Sequence, residues 1–289
     1  MRSLHKTTKY ILTLVGIFIV EMLSTHLLRY RSLLLEDTLM AFIVYTVIVF
    51  SVIKLRFFAP PEALKVFALS FLFLQLMAII IDWGLPTVGV PNIITSFAGM
   101  LCGRLLHQKN KLPALLLVIC FVPLSLWYIG SGYRYWFNFI NYHTFTGRAE
   151  ESKEGATWYI TDRNNDTLTD RYYSNKTVVF DFWNTGCMIC YREFPQVDSL
   201  YRALQQNHIE LQSVNIPMPD DTAGQAFDYL EQRGYSFPKY VGSEHVKKLF
   251  GIEGYPTLVI MENNKIVFRG NLYLAKQFLN RHYLNPVPE

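Results

Sequence analysis

Long apolar runs in the first half of the chain constrain its fold more than any other feature. About 20 apolar residues in a helix cross the ~30 Å hydrocarbon core of a bilayer. Tyr10–Leu28, Thr38–Ile53, Ala63–Ile81 and Leu112–Ser131 all approach that length. Residues 83–103 form a weaker run, interrupted by Pro86, Pro91 and glycines, with a helix expected from about Ile93 to Leu106. Composition agrees: hydrophobic residues make up 51% of the 289 and charged residues 17%, below the roughly 25% usual in soluble domains. The first run is too long, and too poorly terminated by small residues, for a cleaved signal peptide.

Charge divides the chain. Residues 1–148 hold 13 Lys and Arg against 5 Asp and Glu, or +8; the remainder holds 14 against 18, or −4, which together give the net +4. The basic residues flank apolar runs instead of forming a patch, so no nucleic-acid partner is expected. Arg2, Lys6 and Lys9 precede the first run, Lys54, Arg56 and Lys65 surround the second loop, and Arg104, Lys109 and Lys111 follow the fourth run. Basic loops stay in the cytoplasm. The expectation is an all-α polytopic bundle of about five spans in the inner membrane, with a cytoplasmic N-terminus and the second half of the chain in the periplasm.

The expected boundaries are a membrane domain at 1–131, an aromatic interfacial linker at 132–152 and an α/β domain at 153–289. Tyr133, Tyr135, Trp136, Phe137, Phe139, Tyr142 and Phe145 mark the linker as an interfacial belt. Glu21 falls mid-span, where protonation and a bond to Thr25 one turn on would satisfy it. Cys102 and Cys120 fall in the fourth and fifth runs; small buried thiols are the ordinary reading, an electron relay the sharper one.

Short β-rich runs alternating with helical ones fill the second half. Thr157–Thr161 and Thr167–Thr169 flank a turn. Thr177–Trp183 is a buried strand, Cys190 to about Gln206 a helix, Glu210–Ile216 a strand, and Thr257–Glu262 with Lys265–Arg269 a terminal hairpin. Helices are expected over Gly224–Arg233, His245–Phe250 and Leu274–His282. This order gives a mixed α/β sandwich.

Cys187-Met188-Ile189-Cys190 follows a strand and opens a helix. Cysteines at i and i+3 share one face of the first turn. The helix N-terminus favours an anion, which would lower the pKa of Cys187 and make it a nucleophilic thiolate. Cys190, a turn deeper, is placed to resolve a mixed disulfide. Structural zinc requires about four ligands; the domain has no other cysteine, and His208, His245 and His282 are scattered, so neither a metal nor a cofactor is expected.

Residues 180–190, Phe-Asp-Phe-Trp-Asn-Thr-Gly-Cys-Met-Ile-Cys, followed by Glu193 and Pro195, resemble the thioredoxin superfamily, most closely its membrane-anchored TlpA/ResA-type thiol-disulfide oxidoreductases. Gly254-Tyr255-Pro256-Thr257 resembles that family's cis-proline loop, and Ile216 to about Pro238 resembles its inserted segment. The resemblance covers roughly residues 152–284. It implies that Cys187 attacks, Cys190 resolves, Asp181 moves a proton beneath Cys190, and Pro256 is cis, with Tyr255, Trp183 and Gly186 meeting the substrate.

The sequence departs from the family where Gly186 replaces Trp, where Met188-Ile189 replaces the usual intervening pair, and where Ser213 replaces the Lys that pairs with the buried acid. The implied activity is disulfide exchange with extracytoplasmic proteins, as a reductant in cytochrome c maturation or general disulfide reduction. Its partners would be protein disulfides and dithiols, a second redox protein and the lipid bilayer. Two other readings stay open: a copper-delivery module using the cysteine pair with His245, and a transmembrane electron conduit through Cys102 and Cys120.

Overall fold

The computed structural model describes Thr8 and residues 37–81, 85–222 and 224–284. Glu21 and the run Tyr10–Leu28 lie outside the described residues. The chain divides into two compact units, Met1–Tyr133 and Arg134–Glu289.

The first unit contains α1 (Asp37–Lys54), α2 (Pro60–Ile81), α3 (Leu85–Leu105) and α4 (Leu112–Trp127). Small residues let α1 and α3 approach closely. A Cβ placed on Gly99 would collide with the carbonyl of Phe42, and one on Gly103 would lie 2.5 Å from the carbonyl oxygen of Thr46. Thr46 Oγ1 reinforces the seam by donating to the Gly99 carbonyl at 3.1 Å. Phe67 and Phe71 of α2 bury against Tyr45, Val49 and Met100.

The expected bundle of about five spans is corrected here. Among the described residues, one helical run, Leu112–Tyr142, is long and apolar enough to cross a membrane: 31 residues with a mean hydropathy of 2.3 in its most apolar window. An apolar run in sequence does not guarantee a helix apolar over a full span. The second run yields 18 residues closed by Asp37 and Lys54. The third enters its helix with Glu62 and Lys65 in the first turns. The fourth is a longer helix than its prolines indicated, but it incorporates Pro91, glycines and Arg104.

All but the first residue of α5 (Tyr133–Tyr142), the last part of that long run, belongs to the second unit. Asn138 is fully buried there. Its Nδ2 donates to the Thr144 carbonyl at 2.9 Å and its Oδ1 accepts from Asn271 N at 3.2 Å. Then come β1 (Arg148–Ser152), β2 (Tyr159–Thr161), β3 (Thr167–Thr169), β4 (Thr177–Trp183), α6 (Met188–Gln205), β5 (Glu210–Asn215), α7 (Gln225–Gln232), β6 (Lys239–Val241), α8 (Glu244–Leu249), β7 (Thr257–Glu262), β8 (Lys265–Gly270) and α9 (Leu272–Leu279). Residues 148–152, read from sequence as linker, thus form a strand.

The strands make one sheet in the order β1-β8-β7-β4-β5-β6-β2-β3. β4, β5 and β6 run parallel, joined through α6 and α7; β7 lies antiparallel to β4. Side chains alternate across a strand, and β4 shows why each face differs. Val179 and Trp183 pack with Cys190, Phe194 and Leu204 of α6 and with α9. Val178, Phe180 and Phe182 pack on the other face with Trp158, Tyr173 and Phe250. Asp181 shares the α6 face by the same alternation and is 1% exposed.

Candidate active site

At the C-terminal end of β4 the chain turns through Asn184-Thr185-Gly186 into α6. Cys187 is the N-cap of α6, in an extended conformation, and its Sγ accepts from the Cys190 backbone N–H at 3.0 Å. The two sulfurs are joined in a disulfide. Cys187 is half-buried and Cys190 buried, so an incoming sulfur reaches Cys187. Once the bond is reduced, the Cys190 N–H and the helix dipole both favour negative charge on Cys187.

On the sheet face covered by α6, Asp181 pairs across β4 and β5 with Ser213, whose hydroxyl lies 3.4 Å from Asp181 Oδ2. Burial lifts the Asp181 carboxyl to about 7, the nearby Glu193 carboxylate adds to the lift, and the Ser213 hydroxyl opposes it. A carboxyl poised near neutral pH can give or take a proton during exchange. Glu193, one turn beyond Cys190, is also raised by burial, against the pull of Lys276 and Arg134. Its role was not assigned from sequence, although the spacing of Cys190 and Glu193 at i and i+3 places both on one helix face.

The loop carrying the dithiol is tied to the inserted segment. Thr185 Oγ1 bonds Asp221 Oδ1, while Asp221 Oδ2 accepts from Met218 N at 2.9 Å. Tyr191 OH donates to the Thr185 carbonyl. A Cβ on Gly186 would lie 2.8 Å from Met218 Sδ, so glycine makes room for the methionine and any side chain would push it away. The contacts of Thr185 with Asp221 and of Gly186 with Met218 join residues more than 30 apart in sequence, and neither Asp221 nor Met218 carried a local motif signal. Trp183 lies fully buried against Phe194, with ring centroids 5.0 Å apart. It props the loop from below and offers no surface to a substrate, which corrects its expected role.

The Tyr255–Pro256 peptide is cis. Thr257 pairs with Phe182 in the β4–β7 ladder, so Pro256 falls beside the end of β4 from which the dithiol loop departs. Tyr255 and Pro256 are half-buried, and Met188 and Ile189 stand exposed beside Cys187. His245 is exposed, with Nε2 3.3 Å from the Thr157 carbonyl. In the first unit Cys102 is buried, with Sγ directed at the Ala114 carbonyl, and Cys120 is exposed.

No family model matches the chain. Sequence relatives include the thiol-disulfide oxidoreductase ResA of Halalkalibacterium halodurans, 26% identical over 141 residues, which cover 48% of this chain and 77% of that protein. The thiol-disulfide oxidoreductase ResA of Geobacillus thermodenitrificans is 29% identical over 119 residues, covering 40% of this chain and 64% of the relative. Among solved structures, a thiol:disulfide interchange protein from Bacteroides sp. aligns with a TM-score of 0.42 at 16% identity, over 49% of this chain and 93% of the other. StoA from Bacillus subtilis aligns with a TM-score of 0.36 at 20% identity, over 42% and 93%. The ResA relatives cover about half the chain, consistent with a thioredoxin-like C-terminal half, and support thiol-disulfide oxidoreductase activity.

Proposed function

We propose that this chain, a thiol-disulfide oxidoreductase by its ResA/TlpA-like half, is held at a membrane and reduces disulfides of extracytoplasmic proteins, including those exposed during cytochrome c maturation. The carrying observation is the Cys187 sulfur at the cap of α6, in hydrogen-bond contact with the Cys190 N–H, with buried Asp181 on the sheet face that α6 covers. The Cys187 thiolate attacks a substrate disulfide, forming a mixed disulfide and expelling one substrate thiolate. The Cys190 thiolate then attacks Cys187 Sγ and expels the second. The substrate gains two electrons and two protons, and the protein returns to the Cys187–Cys190 disulfide. Asp181 accepts the Cys190 proton, while Tyr255 and Pro256 present the edge against which the substrate segment lies. A separate dithiol protein would recharge the pair.

Membrane attachment is supported by the helical run Leu112–Tyr142. Lys109 and Lys111 immediately precede it. Basic residues mark the cytoplasmic end of a span, which supports the reading that the redox half lies on the opposite side. The test is insulin- or peptide-disulfide reduction by the pre-reduced full-length protein in detergent. Cys187→Ser is expected to abolish turnover, and Cys190→Ser to accumulate the mixed disulfide; equal rates in Cys187→Ser and wild type would overturn the proposal. A midpoint potential below about −200 mV fits a reductant, and one near −120 mV an oxidant.

A further inference from the structure

The loop facing the dithiol is held from outside the sheet as well as within it. Tyr142, the last residue of α5, bonds through its hydroxyl to Thr257 Oγ1. Thr257 Oγ1 in turn lies 2.7 Å from the Gly254 carbonyl, which can only accept. A threonine hydroxyl has one proton, so Thr257 donates to Gly254 and Tyr142 donates to Thr257. The result is a directed relay from α5 across the base of the Gly254–Thr257 loop. Thr257 is fully buried, so neither hydroxyl bond is readily replaced by water there. A cooperative pair of this kind fixes the loop more firmly than either bond alone.

The donor end of the relay is itself fixed. Asn138, one helical turn before Tyr142, is fully buried and bridges the Thr144 carbonyl and Asn271 N. Asn271 Nδ2 returns to α5 by donating to the Arg134 carbonyl at 3.0 Å. A Cβ on Gly270 would collide with Asn138 Oδ1, so the glycine is what admits α5 to this position. On the loop side, a Cβ on Gly254 would meet Asn141 Oδ1 at 3.8 Å. Asn141 is pinned by its own Nδ2 bond to the Phe137 carbonyl at 2.8 Å. The same short helix therefore bonds the loop at Thr257 and lies close to it at Gly254, on both sides of Tyr255 and Pro256.

We infer that Tyr142 is a positioning residue for peptide substrates: acting through Thr257, it sets the Gly254–Thr257 loop so that an extended segment bearing a disulfide can pair beside Cys187. The inference rests on the exchange reaction proposed above and adds a residue outside the dithiol domain's own sheet. It separates two kinds of substrate. A peptide disulfide must lie along Tyr255 and Pro256 and feels the loop. A small aromatic disulfide needs only the half-buried Cys187 sulfur, the accessible member of the pair, and does not.

The test uses the full-length protein in detergent, chemically pre-reduced, in single turnovers with two substrates: a cystine-bridged peptide and 5,5′-dithiobis(2-nitrobenzoate). In Tyr142→Phe, half-saturation by the peptide is expected to rise about 5–10-fold, the effect of one buried hydrogen bond, with the limiting rate within about twofold. The rate with the aromatic disulfide stays at the wild-type value. Thr257→Val reproduces the peptide effect, and Thr257→Ser, which keeps the hydroxyl, restores wild-type saturation. A Tyr142→Phe protein matching wild type on the peptide overturns the inference, as does one slowed equally on both substrates. If Tyr142→Phe does not fold, the contrast between Thr257→Val and Thr257→Ser decides by the same criteria. A wild type inert toward both disulfides overturns the exchange reaction itself, and the inference with it.

Discussion

The first unit is the more apolar of the two, and the two are held together in different ways. In the first, hydrophobic side chains surround the helices: Leu69, Leu76, Leu115, Leu116 and Ile119 are all exposed. Gly99 and Gly103 bring the α3 backbone close to the backbone of α1, leaving no room for a Cβ at either position. In the second, hydrophobic residues are sorted by strand alternation into two dense layers, one centred on α6 and the other on an aromatic cluster. An all-round apolar surface tells a helix to avoid water without telling it which neighbour to choose. Alternation assigns each side chain to a face, and that assignment is what puts Asp181 on the face covered by α6.

The largest effect expected from this contrast lies in the aromatic layer. Phe180 is fully buried, with ring centroids 5.2 Å from Tyr173, 5.4 Å from Phe250 and 5.6 Å from Trp158. Phe180→Ala is expected to cost about 3–5 kcal/mol, from lost transfer energy and the cavity left behind. Denaturant unfolding followed by tryptophan fluorescence would measure it. A loss below about 1 kcal/mol would mean that the two layers are not packed as described.

Next in size is the effect of the buried acid. The native Asp181 carboxyl titrates near 7, above the ordinary 3.8. Between those values the native state holds a proton that the unfolded state has released. Stability therefore falls as pH rises through this window and levels off above about 7. The full shift corresponds to at most about 4 kcal/mol. Asp181→Asn should remove that slope and be relatively more stable at pH 8 than at pH 4, while slowing the pH-dependent step of exchange. An unchanged slope in unfolding titrations at pH 4, 6 and 8 would show that another group carries it.

How legible each part was follows from the same contrast. The strand and helix order of the second unit could be read because period-2 runs and turn residues are local, and the dithiol because its spacing fits one helical turn. The helix begins at Met188 instead of Cys190, since an N-cap contributes its side chain before the helical backbone starts. Contacts linking distant segments were not legible: Thr185 with Asp221, Met218 filling the space left by Gly186, and Tyr142 with Thr257. Each is one ordinary side chain whose partner only the tertiary fold supplies. Thr177–Trp183 was legible as a buried strand, but whether its last residue faces the loop or the core is settled by the packing partner Phe194, which sequence did not supply. In the first unit the apolar runs, charges and prolines were all visible, but which of the charges and prolines the helices would take in was not.

A smaller effect tests the glycine seam. Gly99→Leu must separate α1 from α3, and overpacking of this kind costs about 1–3 kcal/mol. Loss of helical signal on heating the full chain in detergent would report it. Disulfide exchange by the second unit is expected to persist at wild-type rate in that variant below its melting point. Exchange lost together with the first unit's packing would break the separation drawn between the two units.

The smallest effect concerns how β1 is fastened to the sheet. Arg269 of β8 binds Glu151 of β1 bidentately, at 2.9 and 2.8 Å. The guanidinium is mostly buried, while the Glu151 side chain is 42% exposed. The Arg269 hydrogen bonds hold Glu151 below the ordinary carboxylate range, against the opposing effect of its partial burial. A depressed native pKa gives stability that is present above the unfolded value, near 4.5, and lost as pH falls through the lower native one. Solvent reaches this carboxylate, so Glu151→Gln is expected to cost only about 0.5–1 kcal/mol at pH 7. The cost should shrink below pH 4, where wild type loses the same interaction, and in 1 M salt, where exposed charges are screened. Hydrogen exchange on the β1–β8 amides would localise it. Protection that drops at β1 while β4 and β7 hold would mean that β1 opens independently of the site. An equal drop in all of these strands would instead make this surface pair part of the structure that positions the dithiol.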